Sequence, residues 1–374
     1  MLEGVIVLDL SRVLAGPYAT MLLADLGARV IKIEHPAGGD ITRGWGPPFD
    51  SSGEAAYFLG VNRNKESIAL DLATPAGRRS VEILARHADV LVENFPPGAL
   101  ERMGVSLESL RKANPRLVVA SISGFGETGP ERDRTGFDLL AQAGAGLMAI
   151  TGDPDGPPQK VGVAVSDIVC GLHAAVGIAA ALVAARSTGE GTHLRVDLFS
   201  STLSILANVV QACLVSGREA GRHGTGHAQI VPYQRFAASD GEFILAVGTD
   251  RQFRALCEKV IDRPAWAADP KLSENRARVA ARDGLVADLA AIFLSAPRQS
   301  WLDRCHAAGV PAGPVRGPLE ALQSEQARAL GLLVRDGTFA TVASPIRLSG
   351  PAPVRRPPKL DENGAAIRKE FGLE

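Results

Sequence analysis

Along the first 125 residues, short runs of Val, Ile and Leu alternate with stretches whose apolar positions recur at helical spacing. This is the pattern of parallel strands joined by covering helices. It predicts strands at Val5–Leu8, Val30–Ile33, Val90–Glu93 and Leu117–Ser121, and helices at Gly16–Leu26, Pro75–His87 and Leu107–Ala113. Thr74 before Pro75 and Ser106 before Leu107 stand where N-caps belong. Two loops punctuated by Gly and Pro, Trp45–Asn64 and Gly124–Asp138, interrupt the alternation. The first reads as a long surface excursion. It runs into the polar cluster Asn62-Arg63-Asn64-Lys65, which is either a solvated turn or a phosphate contact.

A short apolar helix is predicted at Leu139–Ala149, followed by a turn-rich connector at Thr151–Gln159. The next stretch, Val161–Arg186, reads VGVAVSDIVCGLHAAVGIAAALVAAR, and Asp167 is its only ionised side chain before the closing arginine. The simplest role for such an aspartate is an N-cap, where free N–H groups and the helix dipole favour negative charge. The run is long enough to raise a membrane span, but it is rich in Ala and Gly and poor in Leu, Ile and Phe, so it reads as a buried core helix. A strand at Leu194–Leu198 and a helix at Ser201–Ser216 complete this region.

Beyond Arg218 the texture changes. Arg218–His227 carries Gly221, Gly224 and Gly226 without apolar periodicity and reads as a mobile loop or linker. VPYQRFAASDGEFILAVG has the alternation and the Asp240-Gly241 turn of a β-hairpin, followed by helical patterns at Asp250–Val260, Glu274–Leu294 and Arg298–Ala308. From Pro345 to Leu360 a Pro-rich tail is expected to run extended. The fold class is therefore α/β, a large Rossmann-like domain with an open parallel sheet plus a smaller α+β domain. The large domain spans 1–217 and is completed by 325–374; a Gly-rich linker covers 218–227 and the small domain 228–324.

Composition narrows the function. Forty basic against 41 acidic residues leave a formal charge of −1, which creates no field for nucleic acid or an anionic membrane. Cys170, Cys213, Cys257 and Cys305 are dispersed, with no CxxC pair and no His at metal-ligand spacing, so neither a disulfide framework nor a metal site is expected. The first residues enter a strand pattern directly, and a cytoplasmic location is expected. Glu34 stands where a dinucleotide-binding domain places its ribose-binding acid. The first strand-helix turn, DLSRVLAGPYAT, nonetheless offers a single Gly16 followed by Pro17 instead of the three-glycine fingerprint, which argues against NAD or FAD.

Five motifs then carry a resemblance in chain order: RVLAGPYATMLLADLGARVIKIEHPAGGD, NRNKESIALDL, VENFPPGALERMG, GVAVSDIVCGLHAAVGI and TGEGTHLRVDL. Together they resemble the class III CoA-transferases over nearly the whole chain. The region GHAQIVPYQRF is most similar to succinyl-CoA:glutarate CoA-transferases. The resemblance implies a CoA-transferase acting on an acyl-CoA, with succinyl-CoA as donor and a small dicarboxylic acid as acceptor. CoA enters as substrate thioester, and no tightly bound cofactor or metal is implied. Asp167 would be the nucleophile, passing through an aspartyl mixed anhydride and an aspartyl-CoA thioester. Asp138 aligns with an acidic residue near it, although the residues alone also allow a helix cap. Gly224 and Gly226 match the family's covering loop. Val13, Ala15, His35, Leu70, Asn94, Phe95 and Arg102 match CoA contacts, and His35 departs from the arginine common at its position. The family also implies an interlocked, ring-like homodimer.

Two alternatives differ in class. The related α-methylacyl-CoA racemases carry a proton-transferring His in a GHD motif, where this chain has Gly136-Phe137-Asp138, and Phe cannot exchange a proton. A non-catalytic CoA-binding protein on the same fold would not need Asp167. For the distal carboxylate of a diacid, Arg12, Arg43 and His227 are candidate cations.

Overall fold

The computed structural model describes residues 1–347 and 354–373. The chain divides into two units: Met1–Met148, Lys160–Arg218 and the segment from Glu325 form one, and Ala149–Gln159 with Glu219–Ser324 form the other.

In the first unit β1 (Ile6–Asp9), α1 (Ala15–Asp25), β2 (Arg29–Glu34), α2 (Ala56–Leu59) and β3 (Lys65–Ala69) are followed by α3 (Pro75–His87), β4 (Val90–Glu93), α4 (Ala99–Arg102), α5 (Leu107–Ala113) and β5 (Val118–Ser123). Then come α6 (Asp138–Gly144), α7 (Val165–Thr188), β6 (His193–Asp197), α8 (Leu198–Ile205) and α9 (Ala207–Ser216). Six strands pair in parallel in the order β3-β2-β1-β4-β5-β6. This is the doubly wound order, in which the chain reverses direction between β1 and β4 and leaves a crevice at the carboxyl ends of those strands.

Strand periodicity divides the core into two layers. Val7, Val30, Val90, Val92, Val118 and Ala120 face α1, α7 and α8, whereas Leu8, Ile31, Ile68, Leu91 and Val119 face α3 and α5. The helix starts follow their caps: Thr74 accepts from the Gly77 N–H with Pro75 in the first turn, and Ser106 accepts from the Ser109 N–H.

Several sequence expectations are corrected. Asn62, Arg63, Asn64 and Lys65 are buried, neither a solvated turn nor a phosphate contact, and they lead into an edge strand that the sequence pattern did not reveal. Arg63 instead pairs with Asp25 at 2.5 Å, and Lys65 with Asp9 at 2.9 Å. The Trp45–Asn64 excursion contains α2, whose Phe58 is fully buried beneath the Arg43 guanidinium. The helix expected over Ser201–Ser216 is two helices bent by 75°.

The second unit contains the expected hairpin, β7 (Tyr233–Ala238) and β8 (Gly241–Ala246), which turns at Asp240-Gly241. It continues through α10 (Asp250–Ala255), a π-helical turn, α11 (Pro264–Ala268), α12 (Asn275–Ala280), α13 (Arg282–Phe293) and α14 (Arg298–Ala308) to β9 (Ala312–Pro314) and α15 (Pro318–Leu322). The helix expected at Glu274–Leu294 is broken at Ala281. Phe236, Phe243, Phe253, Phe293 and Trp301 fill its core.

The chain then returns to the first unit with α16 (Glu325–Ala329), a hairpin of β10 (Leu333–Asp336) and β11 (Phe339–Val342), and α17 (Gly364–Phe371). Of the expected extended tail, 348–353 lie outside the described residues. The part from Val354 has no regular structure as far as Lys359. Within it the Arg355 carbonyl accepts from the Asn64 N–H, and the Arg355 N–H donates to the Asn64 side chain. Asp361 and Asn363 accept from the backbone of β3, so this segment closes the sheet edge.

Candidate active site

Asp167 lies in the first turn of α7, but it is not that helix's cap. Ala164 holds the N-cap position without a side-chain bond. The cap comes from elsewhere: Asp138, the first residue of α6, accepts from the Ser166 N–H at 2.9 Å. Asp138 therefore caps α7 and not its own helix, and the two carboxylates stand as neighbours. The Ser166 hydroxyl is buried without a hydrogen-bond partner among the described residues.

The backbone N–H of Ala15, at the start of α1, faces the Asp167 carboxylate and favours its ionised form. Close approach of the two helices makes this possible. Gly171, one turn along α7, lies so near that an added Cβ would stand 2.6 Å from the Ala15 carbonyl oxygen. Burial pushes the Asp167 carboxyl up, the Asp138 charge adds to this, and the Ala15 N–H only partly opposes it, leaving a pKa of about 7. The neighbouring Cys170 thiol is buried and pushed up to about 12, which makes it inert. Leu14, Met21 and Val61, with Val13, Tyr18, Tyr57 and Ile168, make an apolar cluster beside the site.

The loop that presents Ala15 is fixed from below by buried charges. Asp9 accepts from Thr20 Oγ1 at 2.7 Å and pairs with Lys65, while Lys32 bonds the Ser11 carbonyl at 2.9 Å and Asp40 at 3.0 Å. Asp40 in turn accepts from the Val13 N–H, and Val13 sits at φ 69°, a left-handed conformation that a β-branched residue adopts only under constraint. Sequence reasoning missed this network. Its signal was present in lysines set among apolar strand residues, RVIKIE and KESIA, opposite the aspartate of VIVLD.

At the carboxyl ends of β1, β2 and β3 a cavity of about 300 Å³ opens. His35, Leu70 and Phe95 line it, together with Arg12, whose guanidinium lies over the Phe95 ring at 4.6 Å. Asn94 does not line it but clamps the loop, exchanging two bonds with the Arg12 backbone at 2.7 and 2.8 Å. Arg102 is exposed outside it and reaches the Pro97 carbonyl at 3.4 Å. Glu34 bonds Arg43, Ser67 and the Asp40 N–H, so its carboxylate is committed to the scaffold. Arg43 is committed likewise to Glu34 and Glu54 and is not a free cation for a substrate. Gly224, Gly226 and His227 belong to the second unit. There Gly224 adopts φ 57° and donates to the Gly152 carbonyl, and His227 stacks edge-on with Tyr233.

The doubly wound sheet, the aspartate at a helix start and the cavity at the strand ends lie in one unit, the first. The profile of CoA-transferase family III matches residues 2–364, and the chain belongs to that family. It is 43% identical to an acetyl-CoA:oxalate CoA-transferase of Acetobacter aceti and 44% identical to a succinate–glutarate CoA-transferase of Agrobacterium fabrum. Each match covers 99% of this chain and 95% of the relative. A CAIB/BAIF family protein from Brucella suis, solved by crystallography, superposes with a TM-score of 0.89 at 42% identity, covering 99% of both chains. The chain is thus a family III CoA-transferase with CoA thioesters as substrates.

Proposed function

We propose that the protein moves CoA from succinyl-CoA to a small dicarboxylic acid with Asp167 as covalent nucleophile. The observation that carries this reading is the Asp167 carboxylate itself, placed in the first turn of α7 facing the Ala15 N–H and made basic by burial beside Asp138. An Asp167 oxygen attacks the thioester carbonyl, and the C–S bond breaks to leave an aspartyl mixed anhydride and CoA thiolate. The thiolate attacks the aspartyl carbonyl and releases the donor acid, giving an aspartyl-CoA thioester. The acceptor carboxylate attacks this thioester to form a second anhydride. Thiolate return to the acceptor carbonyl then yields the new acyl-CoA and restores Asp167. In the steps at the aspartyl carbonyl, an Ala15 N–H aimed at the carboxylate serves as a fixed donor to the developing oxyanion. The dicarboxylate preference rests on the names of similar proteins, among them succinyl-CoA:glutarate and succinyl-CoA:mesaconate transferases.

The 300 Å³ cavity is the proposed nucleotide end of the CoA site, with Phe95, Leu70 and Arg12 around the base and His35 at its edge. Val13, Ala15 and Asn94 act by shaping the loop above it, and Arg102 is kept for a phosphate. A covering role for Gly224 and Gly226 rests on the family resemblance. Phe137, which stands where the racemases carry His, favours transfer over proton exchange at the α-carbon.

A homodimer is part of the same proposal. Val176 and Val183 on α7 and Leu214 and Val215 on α9 are 69–79% exposed, apolar side chains that a partner copy would cover. Sedimentation velocity tests it, and a folded, active monomer would contradict it. The activity is tested by incubating the protein with succinyl-CoA and a panel of acids and following new acyl-CoA species by mass spectrometry. The reading requires a new species that Asp167→Ala does not make.

A further inference from the structure

Gln142 on α6 is fully buried, and its side chain ties that helix to the stretch leading into α7. Its Oε1 accepts from the Val161 N–H at 2.9 Å, which fixes the amide orientation, because an amide nitrogen could not take that bond. Nε2 must then face the other way, and it donates to Asp138 Oδ2 at 2.7 Å. The other oxygen, Oδ1, accepts from the Ser166 N–H. Asp138 thus accepts on both oxygens from donors that cannot reverse. Without the Gln142 amide, one oxygen of this half-buried carboxylate would lose its fixed donor. Asp167, by contrast, is faced by one backbone N–H, that of Ala15.

From this geometry we propose that Gln142 is a positioning residue that fixes the Asp138 carboxylate beside Asp167, so that its charge bears on the nucleophile. The proposal rests on Asp167 as nucleophile and adds the reason for its reactivity. Two adjacent carboxylates cannot both ionise freely. A fixed charge on Asp138 raises the energy of the Asp167 carboxylate but not of its neutral anhydride and thioester, so the repulsion is released when the acyl bond forms. A more basic carboxylate is also the better nucleophile.

The other groups facing the pair are compatible with this assignment. Tyr57 from α2 is pushed up to about 12, first by burial and then by Asp167, Asp138 and Asp40, and stays neutral. Cys170 stays neutral as well. Asp40 is paired with Lys32.

The test follows the Asp167 carboxyl directly, by carbon-13 NMR of full-length protein with labelled aspartates, the signal being assigned by its loss in Asp167→Asn. In Gln142→Met the Asp167 midpoint should fall by about half a pH unit or more, with an equal fall in the acid limb of kcat/KM. Asp138→Asn should lower it further, and adding Gln142→Met to Asp138→Asn should then move it no more. An unchanged midpoint in folded Gln142→Met overturns the proposal. If that variant does not fold, an unchanged midpoint in Asp138→Asn overturns it equally, because the charge would then have no hold on Asp167. Activity surviving in Asp167→Ala would instead sink the nucleophile reading and leave the midpoints as a separate result.

Discussion

Gly171 and Ala15 bring α7 and α1 together: a Cβ on Gly171 would stand 2.6 Å from the Ala15 carbonyl oxygen, and the Ala15 N–H faces the Asp167 carboxylate one turn away. The helices touch where the nucleophile needs its donor. Gly171→Ala must push them apart. The expected outcome is a loss of about 1–3 kcal/mol in urea unfolding and a fall in kcat on the order of 100-fold from the misplaced donor. A variant with unchanged kcat would show that the Ala15 N–H does not act on the carboxylate.

The buried pair beneath the loop gives a second prediction. Against the burial that raises it, Lys65 and Lys32 and the hydroxyls of Ser11 and Thr20 hold the Asp9 carboxyl at about 2, below its ordinary value of 3.8. Stabilisation from this carboxylate is therefore complete above the ordinary value and lost only as the pH falls towards the folded one. Lys65→Met leaves Asp9 buried with one fewer cation and should cost about 3–5 kcal/mol at neutral pH, measured by denaturant unfolding. A cost below about 1 kcal/mol would show that the network is dispensable.

Asp167 makes the opposite contribution. Its folded value of about 7 lies above its ordinary 3.8, so the folded state holds the proton longer. The ionised carboxylate costs stability progressively as the pH rises between those values, and fully above about 7. Asp167→Asn should then be more stable than the parent by up to about 3 kcal/mol in mildly alkaline buffer, allowing for the carboxylate's partial exposure, and the gain should vanish on acidification towards the ordinary value. Thermal melts across that range check both the size and the sign. The parent's kcat/KM should rise with pH through neutrality, because the nucleophile must be ionised to attack.

Phe95 tests the cavity. With its ring stacked beneath Arg12 and facing the space, Phe95→Ala should raise KM for acyl-CoA about tenfold and leave kcat nearly unchanged, as expected for binding shared by ground and transition states. A change confined to kcat would place CoA elsewhere.

Much of this was legible in the sequence because local signals agreed with the fold. Val/Ile/Leu runs gave β1, β2, β4 and β5, and capping residues marked α3 and α5. β3 escaped because Lys65, Glu66 and Ser67 look polar. Their partners, Asp9, Arg29 and Glu34, lie 56, 37 and 33 residues away in the chain, so only the folded sheet shows why they are there. Asp167 stood out as the lone charge in an apolar run, but its surroundings did not. Gln142 gave no signal at all. An amide in an apolar helix reads as nothing until Val161 and Asp138 converge on it. Asp138 looked like a cap of its own helix because sequence shows which helix follows an aspartate, not which helix start it faces.

The most direct test of the account is to look for the covalent intermediate on Asp167. The protein is mixed with succinyl-CoA without acceptor, quenched in acid, and analysed by intact and peptide mass spectrometry. The account predicts a CoA adduct on the peptide containing Asp167 that hydroxylamine removes, appears as fast as turnover and is lost in Asp167→Ala. Turnover to a new acyl-CoA with no adduct, or with Asp167→Ala still active, would contradict it.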